Sequence, residues 1–171
     1  KHLQVLAQLH DSYILCSNEE GLVIVDQHAA QERYHYEQLN EKLLVQCTNK
    51  QPLMVPIQLD VSSNVLAQYM TINEKTAFFG IEFEPFGTDQ LILREIPLWF
   101  HDVDQKQFLQ DLLDYFVENQ DVDMAKLRKH MIATMACHSS IRFNRPLSMQ
   151  EMEQVILDLQ KCKQPYHCPH G

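Results

Sequence analysis

The residues of this chain best placed to do chemistry lie in the run Asp26-Gln27-His28-Ala29-Ala30-Gln31-Glu32. On a helix, His28 and Glu32 stand one turn apart and project from one face, while Asp26, just before the helix, can turn its carboxylate toward the same space. One nitrogen and two carboxylates can then meet at a single metal ion. The plainer alternative has Asp26 capping the helix, with His28 and Glu32 as solvated surface residues, and a short motif alone does not separate the two. Glu37 falls about half a revolution from His28 at ~100° per residue. It is therefore read as structural, with Arg33 one turn earlier as its partner.

A second group, Cys162, His167, Cys168 and His170, lies in a terminal segment punctuated by Pro165 and Pro169. In an extended chain Cys168 and His170 alternate about Pro169 and can lean toward one ion, but a complete zinc finger needs a second spaced pair that is absent locally. Any site there must borrow ligands, and Cys137, beside His138 near a helix end, is the candidate. Taken alone, Cys137 reads more simply as a small buried core residue.

The elements that must position these groups follow from hydrophobic periodicity. From His2 to Asp26, alternation at Val5, Ala7 and Leu9 and apolar runs at Tyr13 to Leu15 and Leu22 to Val25, around a turn at Asn18 to Gly21, predict a meander of short strands. From His28 to about Leu44 there is no Pro or Gly, and Tyr36, Leu39, Leu43 and Leu44 mark a helical stripe. Pro52 and Pro56 bracket a short extended segment, Leu53 to Val55, read as a connection between lobes. Ser62 then caps a helix through Val65, Leu66 and Tyr69, extending to Phe78, which Gly80 stops. Strands at Ile81 to Phe86 and Leu91 to Ile96 are joined by a turn with Gly87 and Asp89. A helix from near Asp104 carries Phe108, Leu112, Leu113 and Phe116, another carries Leu127, Met131 and Met135, and a capping box of Ser148 and Glu151 precedes Met152, Val155, Ile156 and Leu159.

Composition narrows the class. With 171 residues, 45% of them apolar and 22% charged, the chain can bury a core. Its 14 Lys and Arg against 23 Asp and Glu give a net charge of -9, which argues against a non-specific nucleic-acid coat. Five cysteines at irregular spacing, with no secretory signal, point to reduced thiols in a cytosolic compartment. No apolar run approaches the roughly 20 residues of a membrane span, so a soluble protein is expected. A start at Lys1 and an end at Cys168-Pro169-His170-Gly171 suggest a fragment of a longer protein.

Together these segments resemble the C-terminal domain of the DNA mismatch-repair protein MutL, in the family branch with endonuclease activity. The branch motif, Asp-Gln-His-Ala, any two, Glu, any four, Glu, is matched by Asp26-Gln27-His28-Ala29, Glu32 and Glu37. Ala136-Cys137-His138-Ser139-Ser140-Ile141-Arg142 and Cys168-Pro169-His170-Gly171 match two further family segments, in family order. The family motif continues past this point with Arg-Pro and a further stretch. The resemblance implies a site for one or two divalent metals that nicks one strand of duplex DNA, with ligands Asp26, His28, Glu32, Cys137, Cys168 and His170. Thiolates and imidazoles favour Zn2+ while carboxylates admit Mn2+ or Mg2+, so structural zinc and an activating hard ion can share such a set.

Gln51-Pro52-Leu53-Met54-Val55-Pro56 resembles the family's segment for binding the replication sliding clamp, with Gln51 as a hydrogen-bonding group, Leu53 or Met54 as apolar anchors, and Pro56 closing the segment. The alternative is a connection between lobes with Leu53 and Val55 buried. A clamp would compensate for weak DNA binding by an acidic domain whose local cations, Lys126, Arg128, Lys129, Arg142 and Arg145, equally suit a solvated face.

The fold expected is two-lobed α/β (α+β): residues 1–55 and 131–171 form a dimerisation lobe with the metal site, and 56–130 an external, regulatory helix-strand-strand-helix lobe. The function expected is metal-dependent nicking of the nascent strand during mismatch repair in a bacterial cytoplasm, as a homodimer. ATP would be confined to an N-terminal domain outside this chain, and the mismatch-recognition protein MutS would be engaged through the full-length protein. Nicking by this chain alone is expected to be weak. The rival expectation is a non-catalytic dimerisation module with a structural metal.

Overall fold

A computed structural model describes residues 2–100 and 102–163, and the chain divides by contact into two units, Lys1–Gln38 with Ile141–Gly171, and Leu39–Ser140. The first unit opens with the expected meander: β1 (Gln4–Leu9), β2 (Tyr13–Asn18) and β3 (Gly21–Asp26) form an antiparallel sheet in that order. Side chains alternate across it. Val5, Ile14 and Cys16 are buried on the inner face with Val23 and Val25 packed beside them, whereas Leu22 and Ile24 are 62% and 59% exposed on the outer face.

Helix α5 (Met149–Lys161) covers the inner face with Met152, Val155, Ile156 and Leu159, each buried side chain contributing ~2 kcal/mol. Its start is fixed by the expected capping box, in which the Ser148 hydroxyl accepts from the Glu151 N–H and the Glu151 carboxylate accepts from the Ser148 N–H. Between Val5 and Ala7 the register of β1 slips. The slip turns Gln8 to the inner side, opposite Ile14, and this matters for the site.

Helix α1 (Gln27–Lys42) follows β3 directly, and the division between units falls within it, after Gln38. In the second unit, β4 (Lys50–Asp60), β5 (Glu84–Phe86) and β6 (Gln90–Pro97) form an antiparallel sheet in the order β4-β6-β5. It is joined by α2 (Ser63–Thr76), α3 (Gln105–Glu118) and α4 (Met124–Cys137). Ser62, Asp104 and Asp123 cap these three helices by accepting from Val65, Gln107 and Lys126 N–H respectively. Phe79, Ile81, Leu91, Leu93, Phe108 and Leu112 are fully enclosed in this unit's core.

Three details differ from the sequence-based expectations. Helix α2 ends at Thr76, and Ala77–Phe79 tighten into a 3-10 turn before Gly80 reverses the chain at φ 87°. No other residue suits that point, because a Cβ on Gly80 would lie 2.9 Å from the Cys47 sulfur as well as strain the backbone. The strand expected from Ile81 is shortened to Glu84–Phe86.

The third difference is the segment from Leu53 to Val55, which is no connection between lobes but the middle of an 11-residue strand. Pro52 pairs with Glu95 and Ile57 with Leu93, so Leu53, Met54, Val55 and Pro56 together oppose Arg94 alone. Pro56 falls where the strand has left its partner and costs no ladder bond there, and Pro52, still opposite Glu95, is tolerated because β4 is an edge strand.

Candidate metal centre

Asp26 ends β3 and caps α1, its Oδ1 accepting from the Ala29 N–H at 3.0 Å. This is the capping role that the sequence allowed. It leaves Oδ2 without a hydrogen bond among the described residues and pointing from an exposed side chain. His28 and Glu32 do share one face of α1: His28 Nε2 lies 2.7 Å from Glu32 Oε2, with side-chain exposures of 47% and 14%. The imidazole is therefore not simply solvated. It is tethered to a largely buried carboxylate, and its ring meets the edge of Phe143 at a centroid distance of 5.3 Å and 84°.

Phe143 belongs to a strap, residues 143–147, that two glutamines hold. Gln27 is fully buried; its Nε2 donates to the carbonyls of Phe143 at 2.7 Å and Arg145 at 2.9 Å, and its Oε1 accepts from Gln8 Nε2 at 2.6 Å. Gln8 Nε2 also donates to the Arg145 carbonyl, and Gln8 Oε1 accepts from the Leu147 N–H. Both amides are thus fully satisfied, as buried amides must be. Sequence reasoning passed over both residues, because glutamine is ordinarily a surface residue. The signal for Gln27 is its position between two candidate ligands, within the Asp26-Gln27-His28-Ala29 run.

The other expected groups fall as follows. Cys137 is the last residue of α4, in the second unit, and is exposed, so it is not a core residue. The turn after it is anchored: His138 Nε2 contacts Asp111 Oδ2, the Asp104 N–H donates to the His138 carbonyl, and the Ser140 N–H donates to the Asp102 carbonyl. Burial tends to raise the Asp111 pKa, but hydrogen bonds from His138 and Gln107 and the charges of His138 and His130 prevail and hold it below the usual carboxylate range. Burial pushes His130 down.

Glu37 accepts from the Lys163 N–H at 2.7 Å rather than from Arg33. The buried Arg33 keeps Nε and one terminal nitrogen without a hydrogen-bond partner among the described residues. Cys162 is buried at the end of α5 beside Glu37, not displayed as a ligand. His167, Cys168 and His170 lie outside the described residues.

Of the cations, Arg145 is paired with Glu151 at 3.0 Å and Arg128 donates to the Leu43 carbonyl. Lys126 lies 3.9 Å from Asp123, and Lys129 and Arg142 are exposed. Gln51 and Met54 are both exposed, Met54 completely, at 102%, and Val55 is 78% exposed with Leu53 half-buried.

Imidazole and carboxylate at His28, Glu32 and Asp26 are the donor types a divalent ion takes, and two of them already touch. Among the described residues no three His, Cys, Asp or Glu converge closely enough to hold an ion by themselves. Holding one therefore requires the Asp26 carboxylate to swing or further ligands to join.

The family described as the MutL C terminal dimerisation domain matches residues 6–147, most of the chain. The chain belongs to that family. It is 38% identical to the DNA mismatch repair protein MutL of Exiguobacterium sibiricum over 170 residues, covering 99% of this chain and 28% of that protein. It is 34% identical to MutL of Shouchella clausii and 35% identical to MutL of Lactococcus lactis subsp. lactis, again over 99% of this chain and 26% of each relative. The chain thus spans between a quarter and a third of the length of these MutL proteins. Among the described residues no helix is long and apolar enough to cross a membrane.

Proposed function

We propose that this MutL-family domain is a metal-dependent endonuclease that nicks the newly made DNA strand in mismatch repair, working as a homodimer in the bacterial cytoplasm. The observation that carries the reading is the His28–Glu32 contact at 2.7 Å on the helix that Asp26 caps. Asp26, His28 and Glu32 would hold a divalent ion, joined by Cys137 and by Cys168 and His170. Zinc suits the sulfur and nitrogen donors, and manganese or magnesium the carboxylates. Such an ion, when bound, polarises a phosphodiester and eases ionisation of water, so no dedicated base is required. The chain's own residues prepare the place: Glu32 fixes the direction of His28 Nε2, and the cap holds Asp26 at the helix start with one oxygen uncommitted among the described residues.

Two further features support the partners. The outer face of the first sheet presents Leu9, Tyr13, Leu22 and Ile24, each at least 40% exposed, an apolar surface suited to a second copy. The Met54 bulge offers an anchor to a sliding clamp, which would hold DNA near a domain of net charge -9. ATP and MutS would act through the remainder of the full-length protein.

The test is Asp26→Asn, which can still cap α1 but removes a charge from the site. Nicking of supercoiled plasmid with Mn2+ by the full-length protein should fall by at least ~100-fold with unchanged circular dichroism. Full activity in the variant would leave a dimerisation module whose metal is structural.

A further inference from the structure

We propose that Gln27 is a positioning residue for His28: with Gln8 it clamps the 143–147 strap so that the Phe143 ring holds the imidazole toward Glu32. The inference rests on the metal-site reading above for its catalytic meaning, but its geometry stands alone. Gln27 has no solvent exposure and uses all of its amide hydrogens and its oxygen within this unit. Its backbone N–H donates to the Ser12 carbonyl at 2.9 Å, so the residue is tied to the sheet as well as to the strap. The adjacent residue, His28, is the one whose ring the strap touches.

His28 and His35 lie two turns apart on one stripe of α1, and Phe143 meets both, at 5.3 and 6.2 Å. An exposed histidine at a helix start has several staggered rotamers open to it. A ring packed edge-on against it removes some of them, and the 2.7 Å contact to Glu32 selects among the rest. The two glutamine amides tie the strap at the Phe143 end, because the buried Leu147 and the Arg145–Glu151 ion pair hold it without engaging Phe143. Outer partners of this kind fix ligand direction in metal sites, and their loss typically weakens metal binding ~10- to 100-fold.

The experiment follows the His28 ring protons by NMR in histidine-labelled full chain, compared with Gln27→Met and, because that variant removes buried hydrogen bonds and can unfold the unit, with Phe143→Leu, which removes only the ring. Both variants should move the His28 ring resonances away from their parental positions, and both should raise the Mn2+ dissociation constant about tenfold or more. Unmoved His28 resonances in folded variants would overturn the proposal. So would moved resonances with unchanged Mn2+ affinity. If the parent chain bound no Mn2+, the metal reading would fail, and the NMR comparison would still decide whether the strap sets the ring.

Discussion

Cys162, buried at the end of α5, faces the carboxylate of Glu37, and burial first and that negative charge second push its thiol up to about 11, against a smaller opposing pull from Arg33. A raised folded-state value means that folded and unfolded chains both hold the proton at neutral pH. As pH rises past about 9 the unfolded chain loses it while the folded chain keeps it to about 11. Stability is therefore full below that window and declines through it, by at most ~1.4 kcal/mol per pH unit from this group. Urea unfolding from pH 8 to 11 should show a steeper decline for the parent than for Cys162→Ala. Parallel curves would show that Cys162 does not retain its proton.

Replacing Gln51 and Met54 with Ala should cut clamp-stimulated nicking about tenfold, a loss of ~1.4 kcal/mol in clamp binding, while basal nicking holds. Because Met54 makes no buried contact, its loss should leave the melting temperature unchanged. Equal clamp stimulation of parent and variant would remove the bulge from consideration as the docking point.

Charges placed on the outer sheet face should separate the copies. Leu22→Asp with Ile24→Glu puts two carboxylates on exposed positions of β3 and leaves the inward Val23 and Val25 in place, so the unit should stay folded. Light scattering should report a monomer where the parent is a dimer. A variant that still ran as a dimer would direct the search to another surface.

Much of this architecture was legible because it depends on local rules. The meander, the cap at Ser62, the helix start near Asp104 and the Ser148–Glu151 box follow from alternation, helical periodicity and capping chemistry, and the His28–Glu32 approach follows from helical spacing. What escaped depends on non-local partners. Pro52 and Pro56 bracket an extended segment that reads as a connection between lobes, because nothing nearby shows that β6 skips the residues between them. Gln8 and Gln27 take no role from local rules, since their partners, Phe143, Arg145 and Leu147, lie more than a hundred residues away along the chain. Glu37 was assigned to Arg33 by the one-turn rule, and the end of α5 won it instead.

The interrupted pairing of β4 also bears on solubility during synthesis. In the order β4-β6-β5, β4 is an edge strand, and a long edge with free N–H and C=O groups invites another chain to add itself. Here Pro52 and Pro56 contribute no N–H, and the three residues between them lie where the register with β6 is broken, so no continuous row longer than a few residues is offered to a stranger. The bulge that displays Met54 would thereby also block runaway edge-to-edge stacking, and straightening β4 by deleting residues from it should increase aggregation even if the deleted chain folds.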